Sequence, residues 1–520
     1  MSTAKIKEKS LARSTSVVSS ATAFSRVLGL IREQVMAYFF GASMATDAFI
    51  MAFRVPNLLR DMFAEGALSA AFIPVFKERL VNRSEKEAFS LASILFTLIF
   101  LVVGLIVLLG IIAAPAIIFI TANGFTENPE KFDLTVSLTR IMMVYLLLVS
   151  LSALVMGMLN SFGKFAIPAL SAAMFNLGMV ITVTIFLGFF QKPVYALAVG
   201  VLVGGVGQLA IQLPLLWKIG FRFKPIINIW DEGLRKVLKL VTPMIIGLSA
   251  GRINILISTF IASFLIEGSI SYLNYSYRLM HFPMGVFAVA LGTVTLPKVS
   301  EMAAKNDLRG LSRMFHEALS LNLFMLIPSA IFLAFYGNEI VEMIFQWGSF
   351  SKTDSEKTYM ALLHYSYGLI GFATVRVIVP FYYAFKDSKT PMKISIIAVA
   401  VNILLYWPLT KLLNFAGLAA ATSIGGLVNM ALLVHYLPSK GIKIESSRVW
   451  LNTFRIVIAA LLSCYIGKLV PFQFISQNLI VERIILFLVP VAVSVVSFLI
   501  FCYLFRVKEV NRIKNIFKRN

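Results

Sequence analysis

Fourteen stretches of the chain stay apolar for about the length of a bilayer. They fall at about 15–40, 46–76, 88–118, 134–159, 166–190, 194–217, 236–265, 269–297, 311–336, 356–385, 392–413, 416–437, 450–470 and 482–506. Each is near or above the ~20 residues a helical span needs. In hydrocarbon every backbone polar group must be satisfied internally, which leaves helices and closed barrels. The short alternating strands of a barrel do not occur. The pattern therefore predicts an all-α polytopic membrane protein with fourteen transmembrane helices. The third window leaves room for a further short helix before Asn123.

An internal repeat orders these spans. Arg54 and Pro74 bracket a stretch containing Phe63 and Ala64; Arg278 and Pro297 bracket one containing Phe287 and Ala288, shifted by 223–224 residues. Pro168 and Pro391 keep the shift, and LAVGVLVGGVGQLA from Leu197 matches LAAATSIGGLVNMA from Leu418. The expected domains are a first lobe over 1–235, a second over 236–440, and two appended helices with a basic tail over 441–520. Six helices per lobe in one orientation make a parallel repeat about an axis along the membrane normal. Transporters of this design bind substrate between the halves and alternate access by rocking them.

One oily stretch, Ser25 to Phe76, breaks the apolar pattern. It carries Arg26, Arg32, Glu33, Asp47, Arg54, Arg60, Asp61 and Glu65. A charged side chain at mid-bilayer costs roughly 2.5–3.5 kcal/mol on insertion scales, so such residues face water or each other. Ser19, Thr22, Arg26, Gly29 and Glu33 recur at helical steps and share a face. Asp47, Arg54 and Asp61 form a second stripe, with Asn57 and Arg60 beside it. The second lobe adds Arg252 and Arg278. Pro56 should kink its helix; with Gly66 and Pro283 it is a candidate hinge. Glu33, Asp47 and Glu65, with Arg54 and Arg252, are candidates for charge pairing and gating while the site is empty.

Composition sharpens the class. The chain has 520 residues, of which 59% are hydrophobic and 14% charged, and a mean hydropathy of +0.85; soluble domains are about 25% charged. The net charge of +22 lies mainly in tails and alternate short loops, so it reads as topology, with both termini cytoplasmic, and not as nucleic-acid binding. Cys464 and Cys502 sit in separate apolar helices and give no disulfide or metal pattern. No nucleotide-binding or hydrolase motif appears, so no enzyme and no cofactor are expected. The first window is long and contains arginines, unlike a cleaved signal. A monomer among membrane lipids is the expected state.

The charges in the spans are mostly arginine, which never deprotonates and grips phosphate with two parallel hydrogen bonds. A cationic cavity between helical lobes points to an anionic, phosphate-bearing substrate. Against this stand an oligosaccharide-lipid flippase, a multidrug exporter, which would want an acidic or aromatic cavity, and a non-transporting scaffold, which has no need of buried arginines.

SRVLGLIRE (25–33), GASMATDAF (41–49), the 56–76 run, YRLMHFPMGVFAVALGTVTLP (277–297) and IVEMIFQWGSFSKTD (340–354) resemble the MurJ (MviN) family of lipid II flippases in the MOP superfamily. The resemblance covers nearly the whole chain and implies the same fourteen-helix design. It implies transport of lipid II, the undecaprenyl-pyrophosphate-linked peptidoglycan precursor, to the outer leaflet of the inner membrane. Substrate binding would fall to Arg26, Arg32, Arg60 and Arg278, with Asn57, Asp47 and Glu65 at further functional positions. The last two helices would carry a groove for the polyprenyl tail. Departures are Glu33 where members often have Asp, and Tyr277 and His281 where acids can flank the helix-8 arginine. No acid in helices 7, 11 or 12 would serve as a sodium ligand, Asn402 being the nearest polar candidate, so no metal site is expected.

Overall fold

The computed structural model describes residues 3–60, 67–444, 446–470 and 479–510; for some helical positions, Arg252 among them, it describes the backbone alone. Glu65 and Gly66 lie outside the described residues. The first half of the chain forms α1 (Thr3–Phe40), α2 (Met44–Arg60), α3 (Ala67–Asn82), α4 (Glu85–Ile112), α5 (Ala114–Thr121), α6 (Pro129–Ser161), α7 (Ala166–Phe186), α8 (Tyr195–Ala210) and α9 (Leu213–Lys218). There follow α10 (Glu232–Ala262), α11 (Ser269–Pro283), α12 (Val289–Ala304), α13 (Leu308–Phe345), α14 (Lys352–Ala384), α15 (Lys389–Leu413), α16 (Phe415–Tyr436), α17 (Ser446–Leu469) and α18 (Leu479–Leu504). Helix α5 is the short helix expected before Asn123.

Helix starts follow the polar residues that the sequence supplies. Ser84 caps α4 by accepting from Glu87 N, Asn128 caps α6 and Asp231 caps α10. Ser351 and Asp354 close a reciprocal capping box on α14. Such side chains satisfy donors that the first turn leaves open, at about 1 kcal/mol each.

Among the described residues, ten helices are long and apolar enough to cross a membrane on length and composition. In the four remaining windows, 15–40, 46–76, 236–265 and 269–297, the described residues are also largely helical. Under the proposed repeat these are the first two spans of each half. One departure from regular helix falls in them. The described residues of window 46–76 belong to α2 and α3. Window 269–297 passes from α11 through a π-helical turn, Met284–Ala288, into α12. That turn follows Pro283 directly, and π-turns gather at functional sites.

The chain divides into two compact units, Met1–Ser271 and Tyr272–Asn520. In the first, α6 packs on α2, α4 and α8, and α7 on α1 and α8. In the second, α14 packs on α12, α13 and α16, and α17 on α13 and α18. Helix α10 packs on α3, α4 and α5 within the first unit. The ends of α3 and α10 are joined by Arg79–Asp231 at 2.7 Å, Arg83–Glu232 at 3.0 Å and Lys236–Glu78 at 3.0 Å. Lys236, and after it Arg83, hold the Glu232 carboxyl below the usual carboxylate range.

The paired glycines of the repeat do the same work in each unit. A Cβ on Gly204 of α8 would stand 2.6 Å from the Phe175 carbonyl oxygen of α7, and one on Gly205 would stand 2.8 Å from the Tyr145 ring of α6. A Cβ on Gly425 of α16 would stand 3.2 Å from the Ala398 carbonyl oxygen of α15, and one on Gly426 would stand 2.6 Å from the Phe372 ring of α14. Small residues let helices approach closely where lipid supplies no hydrophobic drive. Gly204→Ala is expected to cost about 1–3 kcal/mol by overpacking against backbone. Gly104→Ala, whose added carbon meets nothing within 4 Å, is the control. Thermal unfolding of both variants in detergent checks this, and an equal midpoint for the two would contradict it.

Candidate functional site

In the first unit Arg32 of α1 meets α7. Arg32 Nη1 donates to Asn176 Oδ1 at 3.1 Å, and its guanidinium carbon lies 5.6 Å from the Phe175 ring centroid. Arg32 also pairs with Glu33, which is 3% exposed. Asn176 Nδ2 donates in turn to the Ser25 carbonyl at 3.2 Å. One amide on α7 thus bridges two positions on α1, two turns apart. The polar face expected on α1 runs from exposed at Thr22 and Arg26 to buried at Glu33. Asn176→Ala is expected to leave Arg32 less fixed and to lower transport several-fold with a small loss of stability, about 1 kcal/mol for the hydrogen bond removed. Transport and unfolding measured on the same preparation check it.

On α2, Asp47 is 1% exposed. Its carboxylate accepts from Lys131 Nζ at 3.0 Å, Gly268 N at 2.9 Å, Ser271 N at 2.9 Å and Ser271 Oγ at 2.7 Å. Asp47 therefore caps the start of α11 and ties it to α2 and α6. Met44 N adds a bond to Glu267 Oε1 at 2.8 Å. Lys131 is the charged partner of Asp47. Buried charges persist only when paired and hydrogen-bonded, and all four contacts meet that need. One helical turn or more along α2, Arg54 donates to Thr259 of α10. Arg60, at the end of α2, and Asn57 are half-buried, and Pro56 lies buried within the helix.

In the second unit Arg278 is exposed on α11. Its neighbour His281 lies 4.0 Å, ring to ring, from Tyr277. Arg376, on α14, is exposed.

Asn176, Lys131, Ser271 and Arg376 escape the sequence reading. Arg376 and Asn176 could have been found, since each is a lone polar residue in an oily run (ATVRVIVP and FNLGMV). Lys131 could not: by sequence it belongs to the loop between the third and fourth windows, and only the start of α6 at Pro129 draws it inward. Chemically, the arrangement can bind and orient anions.

The helices, several of them carrying arginine within an apolar run, have the fold of MOP-superfamily transporters. The fold is similar to a multidrug-resistance MATE-family transporter of that superfamily in its inward-facing conformation, with a TM-score of 0.68 and 13% identity over 83% of this chain and 99% of that one. A family model described as "Lipid II flippase MurJ" matches residues 36–489, and the chain belongs to that family. The lipid II flippase MurJ of Burkholderia cenocepacia is 34% identical over 456 residues, 87% of this chain and 88% of the relative. A solved structure of a lipid II flippase MurJ, in an inward closed conformation, superposes with a TM-score of 0.77 at 28% identity, covering 94% of this chain and 98% of the other. The protein is accordingly a multi-pass membrane transporter of a bacterial inner-membrane family, and not an enzyme.

Proposed function

We propose that the chain moves lipid II from the cytoplasmic to the outer leaflet by alternating access, as a monomer with both termini in the cytoplasm. The observation that carries the mechanism is that the first two windows of each half hold Arg26, Arg32, Arg54, Arg60, Arg252 and Arg278, where hydrocarbon would reject an unpaired charge. Arg26, Arg32, Arg60 and Arg278 replace the water and counterions of the diphosphate, each able to offer two parallel hydrogen bonds. Asn57 adds a neutral donor. The polyprenyl tail stays in lipid, alongside the two helices of 441–520.

The lobes, taken as 1–235 and 236–440, rock about Pro56, Gly66 and Pro283 to change the side from which the head group is reached. Glu33, Asp47 and Glu65, with Arg54 and Arg252, set the charge balance of the empty state, so that cations are not left bare between cycles. Membrane potential can supply drive: one charge moved through 100 mV is worth about 2.3 kcal/mol.

Two assays test this. A strain depleted of its own lipid II flippase should grow when given this chain. Vesicles containing the purified protein should move lipid II between leaflets, with ion gradients varied one at a time. Vesicles that behave like protein-free ones under every gradient, with no rescue of growth, would remove the reading.

A further inference from the structure

A second cationic feature lies at the ends of three spans of the second unit. α13 begins at Leu308, α17 begins at Ser446 and α18 finishes at Leu504; around these ends runs a groove of about 550 Å³. Its cations are Arg309, Arg313, Lys443 and Lys508, and its acids are Glu317 and Glu509. Glu509 is 3% exposed and accepts from Asn452 Nδ2 at 2.8 Å. All four cations are exposed, and none forms an ion pair with another of the described residues.

The walls are fixed. Lys443 N donates to Ser312 Oγ at 3.0 Å, which ties the loop before α17 to α13. Gly441 turns that loop at φ +80°, beside Leu308. The same ends of α17 and α18 carry Trp450 and Tyr503, 72% and 68% exposed. Such aromatics sit at head-group level. Further into these spans Leu451 and Phe454 are exposed, offering an apolar surface below a cationic one.

We propose that this groove binds the phosphate head group of an anionic phospholipid, whose acyl chains lie along α17 and α18. Charge complementarity and depth choose the ligand. Four exposed cations with no ion-pair partner among the described residues, at the boundary of three spans, match a lipid phosphate, as basic pockets between membrane helices do. A soluble anion would leave the apolar surface unused. The lipid bridges α13 to α17 and α18, and so steadies the two helices outside the repeat.

Full-length protein, delipidated in a neutral detergent, is offered phosphatidylglycerol, phosphatidylcholine or inorganic phosphate. Bound lipid is counted by native mass spectrometry and the unfolding midpoint is recorded. Phosphatidylglycerol should be retained and should raise the midpoint; the other two should do neither. The double variant Arg313→Gln, Lys508→Gln should weaken retention about tenfold or more while keeping the lipid-free midpoint. If that midpoint falls, Arg313→Gln alone is read, with a loss of several-fold expected. The pair Lys389→Gln, Lys393→Gln removes equal charge from the exposed start of α15 and should retain the lipid as the unaltered protein does. Equal retention by the groove variant, an equal loss in the control pair, or stabilisation by inorganic phosphate alone would each overturn the assignment.

Discussion

Asp47→Ala is expected to be the most destabilising single change in the first unit. It removes the acceptor for Lys131 Nζ, for two backbone N–H groups and for the Ser271 hydroxyl. Lys131 is 8% exposed, so its ammonium would be left buried without its carboxylate. Breaking one side of a buried ion pair costs about 3–5 kcal/mol. Asp47→Asn keeps the volume and some hydrogen bonds and should cost less. Adding Lys131→Met to Asp47→Asn should recover part of the loss, because the stranded charge goes with it. Thermal unfolding of the four proteins in detergent reads this directly. A midpoint for Asp47→Ala within a degree of the unaltered protein would show that the pair is not what joins α2, α6 and the start of α11.

Arg26→Ala and Arg278→Ala should have the opposite signature, with the fold kept and transport lost. Both side chains are exposed, and substitutions at exposed positions usually change stability by no more than about 0.5 kcal/mol. Hydrogen bonds to charged groups are worth about 1.5–3 kcal/mol each. Losing two of them from a bidentate contact predicts a fall of about 100-fold or more in lipid II movement. Arg26→Lys and Arg278→Lys keep the charge but lose the planar fork, and should fall between. Leaflet exchange in vesicles, beside an unfolding curve for each variant, separates lost transport from lost structure.

Much of the architecture was legible in hydropathy, because a span must be apolar over a fixed length whatever it packs against. The glycine pairs at Gly204–Gly205 and Gly425–Gly426 were legible as a repeat, and their close helix contacts give the reason for glycine there. What answers each charge was not legible. Asp47 reaches Lys131 and Ser271, 84 and 224 residues away, and no periodicity within a window reports that. The repeat and the packing also divide the chain at different places. The repeat parts at 235/236, whereas the compact units part after Ser271, since Met44, Asp47 and Arg54 all bond to α10 or the turn that follows it. Lone polar residues such as Asn176 and Arg376 were visible, but nothing local distinguished a helix-packing amide from a ligand-facing one.

Equilibrium binding of lipid II to the purified protein tests the central claim most directly, with Arg26→Ala and Arg278→Ala measured alongside. The account predicts that each variant binds lipid II at least tenfold more weakly than the unaltered protein, and that undecaprenyl monophosphate, with one phosphate in place of two, competes poorly for the unaltered protein. Equal affinity for lipid II in all three proteins would contradict it.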